Sequence, residues 1–493
     1  MRNRPELLFF HEGFFGQIDG HFGSTQSSFA MNPLKFCMAL CATLFTLAVP
    51  QFAYPACPGD NDCGLSPGLF VSRANLAVVK QRIQAGEQPY AAFYESFLRQ
   101  ASATLSRSPN PFSMANVKDI TFGWCGTAGG EDDTLNDLVK KITDDSHTAR
   151  NLAVAYLLSD DVRFADKARD FMLAWATGST LFNIYDFNVD FNRASFDGIE
   201  EGFCNNSWNM ALDSMWQGYG LINFSDVYAI LTRNGYQLSA ADRTVLQRWL
   251  SRELFPAMNA GCHSWTRWAD NHTGSSAYTR YRSDNHLSWC VAGWSSVAAA
   301  LNDEAMWNYT FKGGTFDDGH SGPYANPANF EAQVGYAVSA SGEIYDQAVR
   351  ASSHKGLFYG NFSLWSLSLA AQIAEVHKGI NYWTFTGSRN GSLMTALDYY
   401  ARYTAGDLAP PDAEETTDPA FFRFLYEMVV GNQWVNGERE SLYRRARDSS
   451  ARTQVVSQAI GPVSLLTGDL SAGNKLSPPN PPRNVQGQSL PGN

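Results

Sequence analysis

The sequence predicts an all-α protein, an incomplete (α/α) toroid or barrel of antiparallel helix pairs. Apolar residues recur at helical spacing in one segment after another. No run alternates strongly at period two, which argues against a large β domain. Short polar turns separate the segments, as they do between antiparallel helical neighbours.

In chain order, Ala74 to Leu105 reads as helix with a break at Gly86. His147 to Trp175 is the clearest hairpin. Leu152, Ala155 and Tyr156 line its first helix, and Phe164, Ala168, Phe171, Met172 and Trp175 line its second. Ser159-Asp-Asp161 is the turn between them, and Gly178 closes the second helix. Trp208 to Leu231 is one long apolar helix or a pair. Ser239-Ala-Ala-Asp242 reads as a capping box before Val245, Leu246, Trp249 and Leu250. Leu287–Leu301, Leu364–His377 (stopped by Gly379), Leu393–Tyr403 and Phe421–Val430 continue the series.

Of the 493 residues, 44% are hydrophobic, 13% aromatic and only 17% charged, which excludes a disordered or tail-like chain. Lys and Arg number 37 against 48 Asp and Glu, a net charge of −11. That balance argues against a nucleic-acid binder relying on bulk positive charge, and a polyanionic ligand would need a local basic island. The 13 Trp, 21 Tyr and 32 Phe supply flat apolar faces that fill a core or stack on sugar rings.

Residues 1–56 read as a leader. From Met31, taken as the true start, Lys35 precedes an apolar run from Phe36 to Phe52 that ends near Ala53 and Ala56, similar to a secretory signal. Pro50 breaks the run, so no stable membrane anchor is expected. Residues 57–475 would form the toroid, and 476–493, rich in Pro, Gly and Asn, a disordered tail. Six cysteines follow the leader (Cys57, Cys63, Cys125, Cys204, Cys262 and Cys290), an even number suited to disulfides in an oxidising compartment. No Cys-x-x-Cys pair or His-Glu-x-x-His helix points to a metal. Sequons at Asn205, Asn223, Asn271, Asn308, Asn361 and Asn390 would accept glycans in a eukaryotic secretory route. The expected location is secreted, extracellular.

Two segments concentrate chemistry. Cys262 to Cys290 packs three Arg, three His and five large aromatics between two cysteines, and Asn285-His286 runs straight into an apolar helix. Cys262 and Cys290 are expected near the site, bonded to each other or to Cys204. A rival pair, Asn271-His272, lies upstream in a Ser/Gly stretch. The second segment, Gly342 to Asn361, places Arg350, His354, Lys355 and Tyr359 within ten residues.

These residues resemble the alginate lyase superfamily, the α/α-toroid polysaccharide lyases that include polysaccharide lyase family 5. The likeness spans about residues 65 to 405. Ala149-Arg-Asn-Leu-Ala-Val-Ala-Tyr with Phe164-Ala-Asp-Lys-Ala-Arg is similar to the family's early helical hairpin. Asn285-His286 matches its Asn-His pair. Gly342 to Arg350 and Tyr359-Gly-Asn-Phe-Ser-Leu364 match its Arg-to-Tyr segment, which leads into a helix ending in Gly379-Ile-Asn-Tyr-Trp. The Arg-to-Tyr spacing is about two residues longer than in family 5, so the cationic role could pass to His354 or Lys355. The His that often follows the Tyr is Gly360 here.

The resemblance implies a lyase that cleaves a uronate-containing acidic polysaccharide, alginate-like or glucuronan-like, by β-elimination, with no metal or organic cofactor. Such a reaction removes a proton beside an ionised carboxylate, so that carboxylate must be neutralised or hydrogen-bonded as charge develops. By resemblance, Asn285 and Arg350 neutralise, His286 assists or acts as base, and Tyr359 is acid, or both acid and base. A Tyr near cations can have a lowered pKa. His354, Arg282, Trp289, Trp265 and Trp268 are the candidate substrate contacts. Two other classes remain open at this point. One is an α/α-barrel glycoside hydrolase, for which Asp186 and Asp190, or Glu200 and Glu201, supply carboxylates. The other is a non-catalytic secreted carbohydrate-binding protein.

Overall fold

A computed structural model describes residues 64–113, 134–179, 206–256, 258–259, 262–263, 266, 282–319, 323–432, 434–449, 456–457 and 461–466. The leader, the tail, Asn271-His272 and the carboxylates from Asp186 to Glu201 lie outside the described residues.

Helices α1 (Arg73–Gln84) and α2 (Tyr90–Ala103) are separated by a turn through Gly86 at φ 68°. α3 (Thr134–Ser159) and α4 (Val162–Gly178) form the expected hairpin, with Asp160 left-handed in the turn and Asp161 capping α4 by accepting from Arg163 N. α5 (Asn206–Arg233) is one continuous helix, and α6 (Ala240–Trp249) runs into a π-helical turn at Leu250–Leu254. Ser239 accepts from Asp242 N at the start of α6. α7 (Asn285–Leu301), α8 (Glu304–Lys312), α9 (Phe330–Ala337), α10 (Tyr345–Arg350), α11 (Gly356–Lys378) and α12 (Leu393–Thr404) follow. α13 (Arg423–Val429), α14 (Gly437–Arg447) and α15 (Val463–Leu466) end the series. Strands among the described residues amount to two antiparallel pairs of two-residue strands, Thr315–Phe316 with Tyr324–Ala325 and Val456–Ser457 with Gly461–Pro462.

Successive helices pack side by side: α3 against α4 and α5, α5 against α7, α7 against α11, and α11 against α12. The series continues through α14 and α13 to α15, which packs against α1 and α2. This is an α/α toroid. Its inner helices are buried on every side rather than along one stripe, the pattern of helices covered all round. In α7 every residue from Leu287 to Ala300 is buried, and in α11 every residue from Tyr359 to Ala374. Such burial requires close approach: a Cβ on Gly293 of α7 would lie 2.6 Å from Met258 Sδ and 3.4 Å from Gly218 Cα on α5.

Buried polar contacts tie helices of the ring together. Arg150 of α3 meets Asp226 of α5 at 2.9 Å, and Asp226 also accepts from Leu69 N at 2.7 Å. Arg233 donates to Ala299 O and Ala300 O, joining the C-terminal ends of α5 and α7. α8, α9 and α10 are too short to announce themselves by apolar period, and α14 is too rich in charged residues to show one. Among the sequons, Asn223 and Asn361 are fully buried, with their amides bonded to Ser146 Oγ and Leu357 O. Neither can accept a glycan in the folded chain, a correction to the sequence reading. Asn308 and Asn390 are exposed. No helix among the described residues is long and apolar enough to cross a membrane.

Candidate active site

Three helix ends meet at one cluster. Asp284 caps α7 by accepting from His286 N at 3.0 Å, which fixes Asn285 and His286 in the first turn. Arg350 is the last residue of α10. Tyr359 lies in the first turn of α11, where its N donates to Lys355 O. The longer Arg-to-Tyr spacing is absorbed by a 3₁₀ turn at Ala351–Ser353 and by His354, left-handed at φ 55°. The extra residues therefore leave Arg350 facing Tyr359, with its guanidinium carbon 4.5 Å from the centre of the ring.

The link between the pairs is a residue the sequence reading did not single out. Asp346, buried in the first turn of α10, accepts from Asn285 Nδ2 at 2.9 Å and from Ser363 Oγ of α11 at 3.4 Å. Its other oxygen lies 3.7 Å from Arg350 Nε, and Asp284 Oδ2 lies 4.0 Å from Arg350 Nη2. Two signals pointed this way: an acid four residues before Arg350, and an Asp in the N-cap position before Asn285.

The environment sets the protonation states. Burial and then the Arg350 charge push His286 down to about 3, so its imidazole is neutral near pH 7. Burial pushes Tyr359 up to about 12; Arg350 opposes this shift, while Asp346 and Asp284 add to it. The lowered tyrosine pKa expected from nearby cations is thus corrected: desolvation outweighs the one cation, and two carboxylates stand behind it. Burial and the neighbouring Asp284 raise Asp346 to about 6. Burial would lower the Arg350 pKa, but Asp346 and Asp284 together hold it above its usual range.

The other candidates are placed differently. His354 binds Asp412 Oδ2 at 2.7 Å and Glu414 Oε2 at 3.0 Å on a surface loop, so it does not take over the cationic role. Trp289 is 0% exposed, packed against Tyr219, Phe362 and Trp365 with centroids 4.4, 5.1 and 4.9 Å away. It is a core residue and cannot stack on a sugar, a correction to the sequence reading. Arg282 is buried and its carbonyl accepts from Gln333. Trp265 and Trp268 lie outside the described residues. Cys262 and Cys290 are bonded to each other, and Cys290 stands five residues along α7 from Asn285. Gly360 has a steric reason: a Cβ there would lie 2.1 Å from Tyr400 Oη. No group of three or more His, Cys, Asp or Glu able to hold a metal occurs among the described residues.

The alginate lyase family model matches residues 94–409, more than half of the chain. Among solved structures, alginate lyase A1-III from Sphingomonas species A1 is 14% identical with a TM-score of 0.52, covering 84% of this chain and 99% of that one. A tyrosine-to-phenylalanine variant of A1-III complexed with a tetrasaccharide gives a TM-score of 0.52 at 12% identity, again covering 84% and 99%. A histidine-to-alanine variant with a tetrasaccharide gives 0.51 at 14% identity, covering 82% of this chain and 97% of that one. No curated protein sequence matches the chain.

Proposed function

Because the chain belongs to the alginate lyase family and is a polysaccharide lyase acting on an acidic polysaccharide, we propose that it is secreted and cleaves an alginate-like or glucuronan-like uronate polymer by β-elimination at Asn285, His286, Arg350 and Tyr359. The observation that carries the reading is Arg350 lying over the Tyr359 ring while sharing Asp346 with Asn285. A cation and an amide side by side suit a uronate carboxylate, and both become more effective as negative charge builds on it.

The proton states divide the work. Neutral His286 takes the C5 proton, and the electron pair left behind forms the C4–C5 double bond as the C4–O bond breaks. Protonated Tyr359 gives its hydrogen to the departing oxygen. The tyrosinate left behind sits under the Arg350 guanidinium, which stabilises it until the proton on His286 is returned. The steps balance without an oxidant or reductant.

Secretion is supported by the apolar run after Met31 and by the Cys262–Cys290 bond. It is tested by expressing the chain in its own cells and looking for it in the medium with residues 1–56 removed; retention inside the cell with that segment intact contradicts it. The chemistry is tested with polymannuronate, polyguluronate and polyglucuronate in turn. Appearance of the conjugated double bond by ultraviolet absorbance on at least one polymer supports the reading, and silence on all three overturns it.

A further inference from the structure

We propose that Asp346 is the positioning residue of this site, a single buried carboxylate that sets both the orientation of the Asn285 amide and the place of the Arg350 guanidinium. The proposal rests on the uronate lyase reading above for the meaning of those two groups, but its geometry stands apart from it.

Asp346 is 2% exposed and its two oxygens are divided between tasks. Oδ2 accepts from Asn285 Nδ2 on α7 at 2.9 Å and from Ser363 Oγ on α11 at 3.4 Å. Oδ1 faces Arg350 Nε at 3.7 Å, one helical turn along α10. An ionised carboxylate can only accept hydrogen bonds, so it forces Asn285 to turn its NH₂ inward. That choice fixes where the second N–H and the carbonyl oxygen of the amide point. The same charge holds Arg350 from one turn earlier on α10, and Asp284, the cap of α7, lies 4.0 Å from its Nη2. At these distances the carboxylates hold Arg350 by charge without closing a bidentate pair. One side chain thus ties together three helices and the two groups that must face one anion.

The site gains from this because neutralisation by two groups needs both at once. Misplacing either by about 1 Å in a site of this kind costs on the order of 10²-fold. A group that acts as charge develops lowers kcat when lost, whereas uniform substrate binding would appear in KM.

Two substitutions separate the tasks. Asp346→Ala removes the acceptor and the charge, and is expected to lower kcat on the order of 10²-fold with KM changed far less. Asp346→Asn keeps an acceptor oxygen for Asn285 but loses the charge facing Arg350, so its kcat should fall between those of the wild type and the Ala variant. It also preserves volume, and so decides the matter if the Ala variant does not fold. Crystal structures of the ligand-free variants supply a readout independent of activity. Arg350 should leave the Tyr359 ring in both, and the Asn285 amide should rotate in Asp346→Ala. Wild-type kcat in both variants, a loss confined to KM, or Asn285 and Arg350 unmoved in the crystals would each overturn the proposal. If the wild type cleaves no uronate polymer while the side chains still move, positioning stands and the uronate reading falls.

Discussion

Arg350 lies over the Tyr359 ring, the guanidinium carbon 4.5 Å from the ring centre, although a 3₁₀ turn and a left-handed residue separate them along the chain. This contact puts a cation against the phenol that would lose a proton. Its first consequence concerns the hydroxyl. Tyr359→Phe keeps the ring under Arg350 and removes only the acid, so turnover should fall roughly 10²–10⁴-fold with the melting temperature nearly unchanged. Steady-state kinetics beside thermal unfolding checks this; turnover within a few-fold of wild type removes Tyr359 from the chemistry.

Gly360, next to that tyrosine, is expected to tolerate no side chain. A Cβ would lie 2.1 Å from Tyr400 Oη and 2.7 Å from its ring carbon, in a fully buried place. Gly360→Ala should destabilise by about 1–3 kcal/mol, the usual cost of overpacking, and should displace Tyr359 with it. Chemical denaturation gives the number, and a variant as stable as wild type shows that α11 and α12 yield more easily than the packing implies.

Three half-buried histidines make stability depend on pH in a definite direction. Burial, then nearby cations, lower His147 to about 4, His286 to about 3 and His377 to about 4 from an ordinary 6.5. Between about 6.5 and those values the unfolded chain binds protons that the folded chain refuses, so stability falls as pH falls through that window. Melting temperatures measured from neutral down to about pH 5 should decline, and a His147→Gln/His377→Gln variant should decline less. A melting temperature that rises over that range contradicts these assignments.

The Cys262–Cys290 bond closes a segment with a sequence separation of 28, and it anchors to the helix that begins with Asn285. Removing it with a Cys262→Ala/Cys290→Ala pair should cost about 2–4 kcal/mol by freeing the unfolded chain. Denaturation with and without a thiol reductant tests this on the wild type as well. No change on reduction means the bond contributes little.

Most helices that the sequence revealed are apolar enough to show a period, and the structure extends several of them at the ends while trimming Phe421–Val430 to Arg423–Val429. α3 begins thirteen residues before His147, and α11 begins at Gly356 rather than Leu364. The inner helices lose their polar stripe because neighbours cover every face, so α7 and α11 were readable by hydrophobicity more than by amphipathicity. At the site, sequence pattern and resemblance singled out Asn285, His286, Arg350 and Tyr359, whereas proximity between Asp346 and Asn285 across 61 positions depends on folding. Trp289 shows the opposite limit. Counting aromatics cannot separate a ring that fills the core from one that meets a sugar, and only its zero exposure decides. Tyr400 explains Gly360 from 40 residues away, which no local motif contains.

The central claim, elimination from a uronate polymer with Tyr359 as the acid, is tested most directly by one time course. Wild-type protein and Tyr359→Phe are followed side by side by ultraviolet absorbance on the polymer the wild type degrades best among polymannuronate, polyguluronate and polyglucuronate. The account predicts a steady rise with wild type and a rate about 10²-fold or more lower with the variant. Chain shortening without any rise in absorbance, or equal rates for the two proteins, would contradict it.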